Sequence, residues 1–195
     1  MTYEYDVFIS YRRSDTVGRW VSTHLVPRLQ ARLEDIAPSS VRISWDQQMD
    51  SGSRWPDELK RRLRRSGLLL AVWSADYFRS AWCMAEWRSF RERESMLGLF
   101  SEANPRGLVY PIRYADGAHY HPEAQQTQCK KDFSRHNYPD AAFSTSAKYM
   151  EFDDLVQEMA EELIAYLDSL PPWRDDFPVV EPDPLPQQIV TRPVL

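Results

Sequence analysis

The chain has 195 residues, 43% of them hydrophobic and 13% aromatic, and a formal net charge of -5 at pH 7. That length suits one well-buried domain, and the acidic balance argues against a nucleic-acid binder that relies on bulk positive charge. Two cysteines, Cys83 and Cys129, imply no disulfide framework and point to a reducing, cytoplasmic setting.

The chain opens MTYEYDVFIS, without a basic-then-apolar leader. Within it Tyr5 to Tyr11 is rich in β-branched and aromatic residues and predicts a buried strand. Val17, Trp20, Val21, His24, Leu25, Leu29 and Leu33 then form a helical stripe, which Pro27 is expected to kink or break. Val41 to Trp45 predicts a short second strand. A loop follows at Asp50 to Ser53, and Pro56 suits the first turn of the next helix. That helix spaces Trp55, Leu59 and Leu63 four apart, with Lys60, Arg61, Arg62, Arg64 and Arg65 on its other faces.

The run GLLLAVWS, Gly67 to Ser74, is continuously apolar, as expected of a strand covered on both faces in a parallel sheet. The longest purely apolar run, Leu68 to Trp73, is too short to span a bilayer, so no membrane partner is expected. SAWCMAEW, from Ser80, opens a further helix. Leu108 to Arg113 predicts a fourth strand, whose Pro111 suggests an edge position or the strand's end. Residues 115–150 are polar, hold three of the four histidines and have no clear period; they read as an irregular insertion. Leu155, Met159, Leu163, Tyr166, Leu167 and Leu170 define a last amphipathic helix. The expected domain therefore covers residues 1–170. Residues 171–195 form a proline-rich extended tail, either a docking segment for a protein partner or a linker.

Strands alternating with helices predict an α/β fold with an open parallel sheet. Ligands in such sheets bind in the crevice at the carboxyl ends of the strands. The polar residues following the strands are therefore the ones to weigh: Ser10 to Asp15, Trp45-Asp46, and Ser74 to Tyr77. The helix carrying Glu86 follows the third strand closely enough to reach the same crevice.

YDVFISYRRSD, the later SADYFRSAWC, and the Trp-x-x-x-Glu formed by Trp82 and Glu86 together resemble a Toll/interleukin-1 receptor (TIR) domain, and the bacterial NAD+-cleaving, antiphage-defence branch most closely. The resemblance implies a flavodoxin-like sheet of about five strands with helices on both faces. It also implies NAD+ as substrate rather than cofactor, cleaved at the nicotinamide–ribose bond to ADP-ribose or a cyclic isomer. Self-association through the domain would complete the site. Glu86 matches the family's catalytic glutamate and Trp82 the tryptophan one turn before it. Ser10, Tyr11, Arg12 and Asp15 match the loop that binds nicotinamide and its ribose. Asp46, from its place after the second strand, is a candidate contact for substrate or a neighbouring subunit. The loop WDQQMDSGSRW lacks the Arg-Asp-x-x-Pro-Gly pattern of receptor and adaptor members. A non-catalytic TIR-type interaction or nucleotide-binding module is the alternative.

The residues also have plainer readings. Spacing puts Trp82, Glu86 and Phe90 in one helical row, where apolar neighbours desolvate the carboxylate; it equally accommodates a surface glutamate paired with Arg12, Arg88 or another arginine. Trp82 can be plain core. Ser14 suits an N-cap, Asp15 either a cap or a ligand contact, and Asp46 a turn. His119, His121, Cys129 and His136 fit no standard zinc spacing, so no metal is expected. Cys83 has no base in view and reads as a small buried hydrophobe. Neither a Gly-x-Gly-x-x-Gly nor a P-loop is present. KRRLRR reads as a solvated basic face.

Overall fold

Strand β1 (Tyr5–Tyr11) lies between two layers of helices, and its alternate residues serve different layers. Val7, Ile9 and Tyr11 join one core cluster, and Phe8 joins the other. Strand β3 (Ser66–Trp73) divides the same way: Leu68, Leu70 and Val72 face one layer, Leu69, Ala71 and Trp73 the other, and every residue is buried. A strand covered on both faces needs a continuous apolar run, which is why GLLLAVW has no polar alternation.

With β2 (Ile43–Ser44), β4 (Val109–Arg113) and β5 (Lys131–Asp132) these strands form a parallel sheet of order β2-β1-β3-β4-β5. This is the expected flavodoxin-like arrangement. The computed structural model describes residues 2–45, 55–99, 106–115, 117, 120–125 and 127–182. Helices α1 (Asp15–Trp20), α2 (Val26–Ile36) and α7 (Lys148–Leu167) cover one face of the sheet. Helices α3 (Trp55–Arg64) and α5 (Ala81–Met96) cover the other, and the short α4 (Ala75–Arg79) leads from β3 into α5.

Pro27 breaks the regular helix as its chemistry requires. A π-helical turn, Val21–Leu25, separates α1 from α2, and the Val26 amide bonds back to the Val21 carbonyl. Pro27 then sits in the first turn of α2, where a missing amide costs nothing within the helix. Pro111 departs from expectation. It lies inside β4, a strand paired on both sides, rather than at an edge. Its carbonyl accepts from the Lys130 amide at 2.8 Å, so its missing N–H also faces β5, a partner only two residues long that pairs from Lys131 onward. No ladder bond is lost there.

Residues 115–150 supply α6 (Pro122–Gln125), β5 and a 3₁₀ turn (Ala141–Thr145), and they bury Phe133 and Phe143 against α1 and α7. Beyond α7, residues 171–182 hold no helix or strand and lie against α3 and α5. The Tyr3 hydroxyl donates to the Pro171 carbonyl at 2.9 Å, Trp173 Nε1 to the Arg64 carbonyl at 3.2 Å, and the Val180 amide to Ser89 Oγ at 2.8 Å. Phe177 is buried. The rest of the proline-rich stretch, 183–195, lies outside the described residues.

Candidate active site

Three elements bring their ends together at the carboxyl edge of the sheet. Residue Ser10 of β1 shares the parity of Phe8 and so faces α5. Ser74 caps α4, accepting from the Tyr77 amide at 3.2 Å, and the single turn that follows carries the Tyr77 phenol inward. Ser80 caps α5, accepting from the Cys83 amide at 3.4 Å, and thereby sets the phase of that helix. Trp82 and Glu86, one turn apart, both line a cavity of about 120 Å3, together with Phe8, Tyr11, Arg12 and Arg13.

The carboxylate at the centre is 8% exposed. Ser10 Oγ donates to Glu86 Oε2 at 2.5 Å and lies 3.0 Å from the Tyr77 hydroxyl. Burial pushes the Glu86 carboxyl up to about 7, against the opposing pull of the Ser10 hydrogen bond and the positive charge of Arg13. The same desolvation pushes Tyr11 up to about 12 and Cys83 up to about 12, each helped by the Glu86 charge. Burial also lowers Arg13, while Tyr11, Glu86 and Cys83 favour its charged form.

A second buried carboxylate on α5 shows what a structural one looks like. Glu94 Oε1 accepts from the Leu108 and Val109 amides at 2.6 and 3.1 Å, and Oε2 pairs with Arg91 at 2.6 Å. Both of its oxygens are committed, one to holding the start of β4 and the other to an arginine of its own helix. Among the described residues Glu86 has one hydroxyl for a hydrogen-bond partner, and it borders a cavity, so acceptor capacity remains for a ligand.

Of the residues singled out from sequence, Ser10, Tyr11, Arg12, Trp82 and Glu86 meet at this cavity. Asp15 does not line it: it is the first residue of α1, exposed, and paired with Arg19. Ser14 caps that helix, accepting from the Val17 amide at 3.3 Å. Asp46 lies outside the described residues. Arg13 and Tyr77 lie in the stretches singled out from sequence, but the sequence assigns neither a role. Arg13 stands next to the chosen Arg12, and only the path of the loop after β1 says which arginine acts on the carboxylate. Tyr77 was in view as part of SADYFRSAWC, but its bond to Ser10 spans 67 residues and leaves no local pattern.

Among the described residues no group of three or more His, Cys, Asp or Glu could hold a metal ion, and no helix is long and apolar enough to cross a membrane. His119 lies outside them, and His136 pairs with Glu151 at 3.0 Å.

A family model described as TIR domain matches residues 7–147. That span holds Ser10, Arg13, Tyr77 and Glu86; α7 and residues 171–182 lie beyond it. Solved structures similar to the chain include the TIR domains of the activated Roq1 resistosome directly recognizing the pathogen effector XopQ, at 20% identity over 85% of each chain and a TM-score of 0.43. Another is the TIR domain of the Toll-related Receptor TRR-2 from the lower metazoan Hydra magnipapillata, at 18% identity over 77% of this chain and 98% of that one, with a TM-score of 0.46. No curated protein matches the chain.

Proposed function

The chain belongs to the TIR domain family, and from that premise we propose that it is an NAD+ nucleosidase, a cytoplasmic enzyme of bacterial defence or signalling. The observation that carries this reading is the desolvated carboxylate of Glu86 at the edge of a cavity, held by Ser10 and faced by Arg13.

Cleavage of NAD+ moves the electron pair of the glycosidic bond onto the pyridinium nitrogen. Nicotinamide then leaves neutral, and the ribose carbon becomes an oxocarbenium ion. Ordinary glycosidases use a second carboxylic acid to protonate the leaving group; a leaving group that is already cationic removes that need, and one carboxylate suffices. Glu86 in its ionised form stabilises the developing cation in a site from which water is largely excluded. The positively charged nicotinamide ring itself favours that ionised form when it enters. Water then adds to the ribose to give ADP-ribose and a proton, or an adenine nitrogen adds to give a cyclic isomer.

The Ser10 hydroxyl fixes the carboxylate's rotamer, Tyr11 and Trp82 offer flat surfaces for the ring and sugar, and Arg12 and Arg13 offer positive charge for the pyrophosphate side. A cavity of about 120 Å3 has room for one end of a dinucleotide, well below the roughly 300–1,000 Å3 of sites that engulf a whole small molecule. Self-association supplies the remaining walls in this reading.

The test is nicotinamide release from NAD+ by the full chain, dilute and at high concentration, beside Glu86→Gln. Release by the parent and a loss of about a hundredfold or more in the variant is the expected result. Absence of release even when self-association is forced would overturn the reading and favour a non-catalytic interaction or nucleotide-binding module.

A further inference from the structure

We propose that Tyr77 is a positioning residue for Glu86, acting through Ser10: its hydroxyl closes a buried three-member chain that holds the glutamate ionised and aimed at the cavity. This rests on the reading that Glu86 is the working carboxylate.

The chain runs from α4 through β1 to α5. Ser10 Oγ is 3.0 Å from the Tyr77 hydroxyl and 2.5 Å from Glu86 Oε2, and Ser10 and Tyr77 are sealed from solvent. Packing fixes the phenol, whose ring meets Phe78 edge-on at 5.3 Å inside the α3/α5 core.

Counting protons gives the chain a direction. A serine hydroxyl has one proton, and an ionised carboxylate has none. Ser10 therefore donates to Glu86, and Tyr77 donates to Ser10, so that each hydroxyl proton has an acceptor. Protonating Glu86 on Oε1 leaves Ser10 donating to a neutral carbonyl oxygen, a weaker acceptor than a carboxylate. Protonating it on Oε2 reverses the order: the acid proton points at Ser10, Ser10 turns towards Tyr77, and the buried phenol proton is left with no acceptor among the described residues. A buried donor without a partner is costly. Tyr77 thus penalises the protonated acid, and its donation strengthens the Ser10 bond to the carboxylate. It opposes the burial that works the other way.

Other groups face the same carboxylate. The loop after β1 contributes Arg12 and Arg13, β1 contributes Tyr11, α5 contributes Cys83, and α3 presents the apolar Leu59. Burial keeps Tyr11 and Cys83 neutral well above pH 7, and Tyr77 stays neutral likewise. A transition near neutrality at this cavity therefore reports Glu86.

The experiment titrates the full chain, with its glutamate carboxyl carbons labelled with carbon-13, by NMR; the Glu86 signal is identified by its loss in Glu86→Gln. Tyr77→Phe, which removes one oxygen, should raise the Glu86 midpoint by about half to one pH unit, the share of a neutral hydrogen bond. The pH profile of nicotinamide release should move by the same amount. On a Ser10→Ala background, Tyr77→Phe should add no further shift. An unmoved midpoint, or the same shift with and without Ser10, would overturn the proposal. If the midpoint moves as expected but no nicotinamide is released at any pH, the chain of hydroxyls stands and the NAD+ reading falls. Release with an unmoved midpoint has the opposite meaning.

Discussion

Phe177 lies over the guanidinium of Arg93, 4.4 Å from ring centroid to Cζ, and together they fasten the segment after α7 to α5. Phe90 flanks the same guanidinium at 4.2 Å, and Arg93 donates to the Ser66 and Leu63 carbonyls at 2.7 and 3.2 Å. The cation is completely buried, and two aromatic faces with two carbonyls replace most of its hydration, Nε having no hydrogen-bond partner among the described residues. Burial lowers Arg93 to about 10, which still leaves it charged at neutral pH.

Removing the lid should therefore weaken the whole domain. Phe177→Ala is expected to lower the unfolding free energy by about 3 kcal/mol, the low end for a buried Phe, because water reaching Arg93 offsets part of the loss. Phe177→Leu should lose roughly half of that. Urea unfolding measures both; a midpoint unchanged in Phe177→Ala would mean that residues 171–182 do not belong to the cooperative unit.

Glu86 should destabilise the fold it serves. Its carboxyl stands at about 7 in the folded chain against an ordinary 4.5, so between those values the folded state holds a proton that the unfolded state has lost. Stability from this group is full below about pH 4.5, falls as pH rises to about 7, and stays low above that. Glu86→Gln should then be more stable than the parent at pH 8, by at most about 3 kcal/mol, with little difference at pH 4. Thermal unfolding at both pH values gives the comparison, and equal stabilities at pH 8 would contradict it.

The fold was largely legible because its signals are local. GLLLAVWS announces a strand buried on both faces, and the spacing of Leu155, Met159 and Leu163 announces a helix with one apolar face. The crevice is legible in the alternation of strands and helices, and Glu86 in the Trp-x-x-x-Glu of the TIR resemblance, since its spacing alone fits a surface glutamate as well. What stayed hidden depends on pairings across long stretches of chain. The Ser10–Glu86 bond joins residues 76 apart, and Trp173 bonds to a residue 109 away. An extended segment such as 171–182 has no periodicity to betray that Phe177 is core. Pro111 suggests an edge or a strand's end because sequence shows that an amide is missing but not which neighbour it would have faced.

The two adjacent arginines should separate in function. Arg13 is the one whose charge acts on Glu86, lowering the carboxyl against its burial. Arg13→Ala should raise the Glu86 midpoint by about half a unit or more and cut nicotinamide release at pH 7 about threefold to tenfold, with partial recovery as pH rises. Arg12 is exposed at the cavity mouth. Arg12→Ala should raise KM for NAD+ and leave the pH profile in place. A profile that moves in Arg12→Ala but not in Arg13→Ala would reverse the assignment.

Cys83 borders the same cavity and is the group most easily mistaken for a nucleophile, since thiolates attack electrophilic carbon readily. Its surroundings argue otherwise. The side chain is buried, and both burial and the Glu86 charge push the thiol up to about 12. At pH 7.5 the thiolate fraction is then on the order of one in 10,000 or less, too small for covalent catalysis without a base. The carboxylate that stands nearest repels the very charge the thiolate would carry. Cys83→Ala should accordingly retain nicotinamide release within about threefold, its loss being one of packing rather than chemistry. Iodoacetamide added to the folded chain at pH 7.5 should leave Cys83 unmodified, and labelling should appear only when urea unfolds the domain. Rapid alkylation of the native thiol together with loss of activity in Cys83→Ala would show that the sulfur, and not Glu86 alone, meets the ribose.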